Sequence, residues 1–286
     1  MNKMIYIAAV AALCGACTSS KVITQTFNSV IVMDVEPVIE AFSISSHTDT
    51  DSKEASAQKV YSFIYDSEGN LVTEAYLNVD STATALWELK EISGDEYHMV
   101  CVTFAESAQD KPYAIEGKSN VHTLKVHQNI DHYFNHDGSP IGVACEKVVI
   151  GKTDTVKVSL FPVSAQVNVI YAVPEMLVEV ADTLVRFQLN TNTDIAFKEG
   201  EPVFTNPEEV IIQVSQGDSK TCVLMPSDSL SYKATYNVDE NIVCEFAHDI
   251  IQIEKSLHYI ATIDWNNKTV AFEESSTVVE NPELVE

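Results

Sequence analysis

Short apolar runs separated by polar turns dominate the chain. Thr155-Val156-Lys157-Val158-Ser159-Leu160 and Gln166-Val167-Asn168-Val169-Ile170-Tyr171 alternate with period two, as half-buried strands do. Residues 60–65 are β-branched and aromatic. They run into Asp66-Ser67-Glu68-Gly69-Asn70 and then Leu71-Val72, which predicts a strand, a Gly-containing turn and a returning strand. Residues 260–265, Asn266-Asn267 and residues 268–272 predict a second hairpin with a tight turn, Asn being the non-Gly residue that best tolerates positive φ. Residues 97–104, 210–214, 222–225, 232–236 and 242–246 continue the pattern. Helical periodicity is weak. The best candidate, residues 82–92, reads as a strand or as one short helix.

Strands recurring at roughly 8–12 residues predict an all-β protein of antiparallel sandwiches. We expect two in tandem. Phe161-Pro162 interrupts a strand-rich run near the middle, and Pro is tolerated at a strand edge or bulge. That places one sandwich at residues 57–163 and the other at residues 164–273, with an acidic, unanchored tail over residues 274–286. Residues 17–56, rich in Ser and Thr, read as a tether with the first strand or strands.

The first residues change the picture. Lys3 precedes an apolar stretch, residues 5–13, far shorter than the roughly 20 residues that span a bilayer. Gly15 and Ala16 lead to Cys17. Residues 1–16 therefore read as a bacterial signal peptide of lipoprotein type, with Cys17 as the lipidation site. The fit departs from the usual pattern at one position: Cys14, not Leu, stands third before Cys17, and Leu13 is one further back. The alternative is ordinary secretion with Cys17 incidental. The first acid after Cys17 is Asp34, so the acidic run that marks surface export in some lipoproteins is missing.

Charge narrows the function. Seventeen Lys and Arg stand against 42 Asp and Glu, a formal net charge of −25. Such a surface cannot neutralise a row of phosphates, so nucleic acid is excluded as a partner. The charge also argues against docking on an anionic membrane through a basic patch. Cys101, Cys145, Cys222 and Cys244 could form two disulfides in an oxidising compartment, with three connectivities; Cys101–Cys145 and Cys222–Cys244 is the simplest. A small buried thiol is the alternative for Cys101.

His122, His127, His132 and His136 cluster in sequence, and His132-x-x-x-His136 has metal-like spacing. Turn residues surround that pair, no helix-forming body carries it, and a zinc site needs further ligands. A polar loop without metal is the reading adopted. Gly-x-Ser-x-Gly and His-Glu-x-x-His are absent, and nine glycines leave little for a phosphate loop. Paired acids such as Asp49/Asp51, Glu208/Glu209 and Glu273/Glu274 read as solvated faces. Trp87 and Trp265 are the only tryptophans and read as core or rim residues before glycan platforms. No residue set motivates an enzyme, and no cofactor is expected.

The layout resembles the fimbrillin-type proteins. The lipoprotein signal, the Ser/Thr-rich lead and residues 60–72 look like their first hairpin. Leu89-Lys90-Glu91-Ile92-Ser93-Gly94-Asp95-Glu96-Tyr97-His98-Met99-Val100 is similar to their "Leu…Gly-x-x-Tyr-x-x-Val" strand, and residues 155–170 resemble the passage between their two domains. The resemblance spans about residues 25–272. It implies two transthyretin-like sandwiches and assembly with other fimbrial subunits by strand addition, which satisfies an open sheet edge. It also implies outer-membrane attachment through the N-terminal lipid. Stalk subunits of this kind are cut by an Arg-specific protease near the N-terminus. Here Arg186 is the only arginine, although Lys21 or Lys53 could serve a different protease. The tail, acidic and carrying Pro282, is a poor donor strand. Both departures favour an anchoring or minor accessory subunit over a polymerising one. The alternative is an envelope lipoprotein that binds a glycan or another envelope protein.

Overall fold

The computed structural model describes residues 26–42, 57–93, 96–106, 111–129, 140–151, 155–172, 183–198, 201–215, 220–238, 241–255 and 257–275. The strands are β1 (Thr26–Asp34), β2 (Ala57–Tyr65), β3 (Leu71–Asn78), β4 (Thr84–Ser93), β5 (Glu96–Glu106), β6 (Tyr113–Glu116), β7 (Lys125–Gln128), β8 (Gly142–Val149) and β9 (Thr155–Ser159). They continue with β10 (Phe161–Pro162), β11 (Ala165–Ala172), β12 (Thr183–Lys198), β13 (Glu201–Ser215), β14 (Lys220–Leu224), β15 (Ser227–Val238), β16 (Asn241–Ile253), β17 (His258–Asp264) and β18 (Thr269–Ser275). One short helix, α1 (Glu36–Phe42), lies among them. The all-β expectation holds, and of residues 82–92 all but the first two resolve as strand: β4 pairs along β1.

In the first half, a three-stranded sheet β4-β1-β9 faces a five-stranded sheet β3-β2-β5-β8-β10. Ile31, Met33, Trp87, Leu89 and Val158 from the first meet Val60, Ile64, Met99, Cys101 and Val148 from the second in one buried cluster. The five-stranded sheet is also covered on its other face. There Phe63, Tyr65, Val100, Val102 and Phe104 pack against Tyr113, Leu124 and Val126 of the β6–β7 ribbon, with Ile195 and Phe197 from β12. Burial on both faces explains why β5 reads as a continuous apolar run instead of an alternating one.

The sequence shows no period for α1 because seven residues are too few to display one. Asp34 Oδ1 accepts the Glu36 amide at its start (3.0 Å), and Val38 is buried. Its seat is Gly142: a Cβ there would lie 2.3 Å from Val38 Cγ2 and 2.9 Å from Thr103 Cγ2.

In the second half, sheet β14-β11-β17-β18 faces β13-β12-β15-β16. Val167, Val169, Phe187, Leu189, Ile212, Leu224, Tyr236 and Ile263 fill the space between. β12 is long enough for two jobs. Residues 184–190 pair with β15, and Asp194, Ile195 and Ala196 pair with β7. The far end of the β12–β13 hairpin therefore leaves its own sandwich and joins the cover of the five-stranded sheet.

Both predicted hairpins form. In β2–β3, Asp66 Oδ1 accepts the Glu68 and Asn70 amides (2.9 and 2.8 Å), and Gly69 takes φ +83°. In β17–β18 the turn is wider than expected, covering residues 265–268. Asp264 Oδ1 accepts the amides of Asn266 and Asn267 (2.9 and 3.0 Å), and the positive φ falls on Lys268, not on an asparagine.

Candidate functional site

With no catalytic constellation in the sequence, the groups to account for first are backbone edges, because unpaired N–H and C=O rows are binding surfaces. β1 is not such an edge. It runs antiparallel to β4 and, over Val30–Asp34, parallel to β9, so both sides of that stretch are occupied. Ile31 and Met33 are fully buried, and the Ser62 hydroxyl donates to Met33 Sδ (3.0 Å). The strand begins at Thr26, close in sequence to Cys17, and fills the slot between β4 and β9. The outer strands of the sheets are β3, β4, β6, β9 and β10 in the first half, and β13, β14, β16 and β18 in the second.

Arg186 lies in the middle of β12, paired with Gln213 on one side and Thr235 on the other. A protease needs an extended, unpaired segment, so this arginine is closed to cleavage in the folded chain. Lys21 and Lys53, like Cys17, fall outside the described residues.

The cysteines are not brought together. Val100 pairs with Cys145 and Cys101 with Ala144, so Cys101 and Cys145 point to opposite faces of the five-stranded sheet. Cys222 is on β14, which lies against β13, and Cys244 is on β16, which lies against β18; the two flank the second sandwich on opposite sides. All four are free thiols. Burial pushes Cys101, Cys145 and Cys222 up to about 12, so they are protonated and poorly nucleophilic at neutral pH.

His132 and His136 fall outside the described residues. His122 sits on an exposed turn, where its amide is accepted by Asn120 Oδ1. His127 is engaged: its Nδ1 lies 2.6 Å from Asp194 Oδ1, while Lys125 Nζ approaches Asp194 Oδ2 at 3.2 Å. The Asp194 carboxylate holds Lys125 above its ordinary range. This cluster fastens β7 to β12 and is a structural joint. Among the described residues no group of three or more His, Cys, Asp or Glu is placed to hold a metal.

Trp87 and Trp265 are both buried, one in each sandwich core. Trp265 meets the Tyr236 and Phe246 rings edge-on at 5.3 Å. Neither offers a flat face for a sugar. A cleft of about 320 Å³ opens beside the β2–β3 turn, lined by Gly69, His98, Val121, His122, Cys145 and Phe197 among others. Cys145 is its sole thiol and is protonated, so the cleft holds no activated cysteine. Among the described residues no helix is long and apolar enough to cross a membrane.

What sequence reasoning missed is the exposed edge strand itself. β3 carries Val72 and Tyr76 on its solvent side, and only the fold shows that no strand covers them among the described residues.

No family model matches the sequence, and no curated protein does. Solved structures match in fold. Candidate polysaccharide-binding proteins from Bacteroides thetaiotaomicron VPI-5482 superpose with a TM-score of 0.55 at 13% identity, over 82% of this chain and 91% of theirs. A candidate adhesin from the same organism gives 0.54 at 10% identity, over 88% and 97%. A candidate adhesin from Bacteroides ovatus gives 0.50 at 13% identity, over 78% of each chain. The chain shares the all-β fold of these proteins, and the resemblance read in the sequence holds at that level.

Proposed function

We propose that the protein is a non-enzymatic, lipid-anchored subunit of a cell-surface fimbria, an anchor or minor accessory component of the outer membrane. In this reading a diacylglycerol on Cys17 holds the front of the chain, each buried CH₂ contributing roughly 0.8 kcal/mol. Other subunits join through β-strand addition, and both sandwiches are transthyretin-like.

One observation carries the reading: β1 is a central strand, held between β4 and β9 over Val30–Asp34 and downstream of the tether in sequence. A chain anchored at Cys17 with β1 in place is tied to its membrane through its own core. A polymerising subunit instead needs that slot vacated. The absence of an accessible arginine agrees, since Arg186 is locked in β12. The adhesin-type fold is consistent with the same role.

Mass spectrometry of the mature N-terminus tests it. A lipidated Cys17 on an otherwise full-length chain, co-purifying with sheared filaments, is the expected result. A bare Cys17, or a mature chain beginning after Lys53, sinks the anchor.

A second reading is favoured by one comparison, the candidate polysaccharide-binding proteins. It would make this an envelope lipoprotein that binds a glycan. The burial of both tryptophans weakens it.

A further inference from the structure

We propose that the cleft beside the β2–β3 turn binds one uncharged sugar ring, presented as the end or a branch of a glycan. This rests on the second reading above and deepens it, because it names the site and the class of ligand; it is independent of the anchor.

Five segments build the cleft where the two halves of the chain meet. Its floor is the outer face of the five-stranded sheet. Val100 points outward there, so His98, two residues earlier, shares that face. Cys145 and Lys147 stand opposite Val100 and His98 on β8 and complete the floor. The walls come from three connections. The β2–β3 turn supplies Ser67 and Gly69, the turn joining β6 to β7 supplies Val121 and His122, and the β12–β13 hairpin supplies Phe197 and Glu201. Junctions between packed units are favoured places for ligands.

The walls are tied together. The Val121 amide donates to the Gly69 carbonyl (2.9 Å), and the Leu71 amide donates to the Ser119 carbonyl (3.0 Å). Gly69 has φ +83°, and a Cβ there would lie 3.1 Å from Val121 Cγ1, so the two turns pack closely. Asn120 Oδ1 holds the His122 amide (2.9 Å). Phe197 is buried against the sheet. A preformed cleft loses less entropy on binding.

The polar side chains of the cleft are unengaged. Ser67, His98, His122 and Glu201 have no side-chain hydrogen bond or ion pair among the described residues. Lys147 has one contact, with Glu96 at 3.4 Å, and both side chains are more than half exposed, so it is weak. The Ser67 hydroxyl, the Lys147 ammonium and the imidazole N–H groups donate, and the Glu201 carboxylate accepts. Val100, Val121 and Phe197 place apolar surface among them. A sugar ring carries both kinds of surface, hydroxyls at its rim and C–H groups on its face.

Size and charge narrow the ligand further. About 320 Å³ is at the small end for ligand sites and suits one ring, not a chain of them. An anion is opposed by carboxylates: after burial and Cys101, Glu201 and Glu146 disfavour the Cys145 thiolate on the floor. A cation meets the Lys147 ammonium on the same floor. A neutral, hydroxyl-rich ligand meets neither opposition.

The probes are the methyl glycosides of galactose, mannose, fucose and N-acetylglucosamine. Methyl glucuronide is the anionic control and methyl glucosaminide the cationic one. Binding to the full mature chain is followed by saturation-transfer NMR. Alkylation of Cys145, mapped by mass spectrometry, reads the site independently. At least one neutral glycoside should bind in the millimolar range, more tightly than both charged controls, and slow Cys145 alkylation as it saturates. His122→Ala and Glu201→Ala remove exposed side chains and should leave the melting temperature unchanged, yet each should weaken binding roughly tenfold. Lys90→Ala on β4 should not. Binding of none of the four, tighter binding of a charged control, unchanged Cys145 alkylation at saturation, or unchanged affinity in both variants overturns the proposal. The readings fail separately. Retention of the double variant on immobilised mucin sinks the cleft and leaves the glycan reading. No retention of the wild-type chain, with no glycoside bound, sinks both, and a bare Cys17 sinks the anchor alone.

Discussion

At the scale of single residues, three aspartates organise turns and set an acid limit on the fold. Asp66, Asp80 and Asp264 each accept backbone amides from residues two to four positions on. For Asp66 and Asp264 the backbone N–H groups that begin with Asn70 and Asn267 lower the carboxyl below its usual value; for Asp80 the Thr82 hydroxyl leads. A lowered folded pKa means that the charged form is favoured in the fold. Each contribution is therefore complete above the ordinary carboxylate range and lost as pH falls through the depressed value. Replacing all three with Asn keeps an acceptor oxygen and removes the charge. The variant should denature at lower urea than wild type at pH 7, and the gap should close below about pH 4, where wild type loses the same contribution and the variant's acid slope is flatter. An unchanged acid slope would assign the transition to other groups. Two of these turns were legible from the Asp-containing loops before Asn70 and after Asp264. The positive φ of Lys268 was not, because its position is dictated by the four-residue width of the turn and not by local preference.

At the scale of elements, the β12–β13 hairpin departs most from what the sequence reveals. Residues 210–214 read as a strand, yet nothing local says that β12 changes partner partway, from β15 to β7. Partner choice depends on neighbours far away in sequence, and the same holds for β4, whose residues 82–92 fit strand or helix until β1 lies beside them. The edge status of β3 was hidden for the same reason. Its alternation was partly readable; whether a strand covers it is a property of the sheet. The reach of β12 has an energetic consequence. Phe197, near the hairpin tip, is buried on the outer face of the five-stranded sheet, while Phe161 on β10 is 58% exposed. Phe197→Ala should cost about 3–5 kcal/mol and Phe161→Ala no more than about 0.5. Urea denaturation of the two variants separates them, and equal costs would mean that the hairpin tip contributes nothing to the cover.

At the scale of the whole molecule, the division expected near residue 163 says little about where cohesion lies, since β6 and β7 share a sheet with β12. The outer cluster of the five-stranded sheet draws Phe63, Tyr65, Val102 and Phe104 from the first half and Ile195, Phe197 and Met225 from the second. Val163, at the expected boundary, is itself part of that cluster. The half-buried His127–Asp194 contact and the Lys125–Asp194 pair cross the same seam, and so does the bond between His258 Nε2 and the Ala41 carbonyl (2.7 Å). A chain cut after residue 163 would strip the cover from a row of aromatic side chains and take Asp194 away from Lys125 and His127. Such a surface aggregates. A fragment of residues 17–163 should therefore be insoluble or expose apolar surface to dye. The mature full-length chain should melt in one calorimetric transition, with van't Hoff and calorimetric enthalpies that agree. A soluble, cooperatively folded fragment, together with two resolved transitions in the full chain, would show that the seam is dispensable. The single transition matters for the anchor. β1, next to the tether, shares its core with the five-stranded sheet, and that sheet shares its cover with the second half. A pull applied at Cys17 is then resisted by the whole molecule and not by one sandwich.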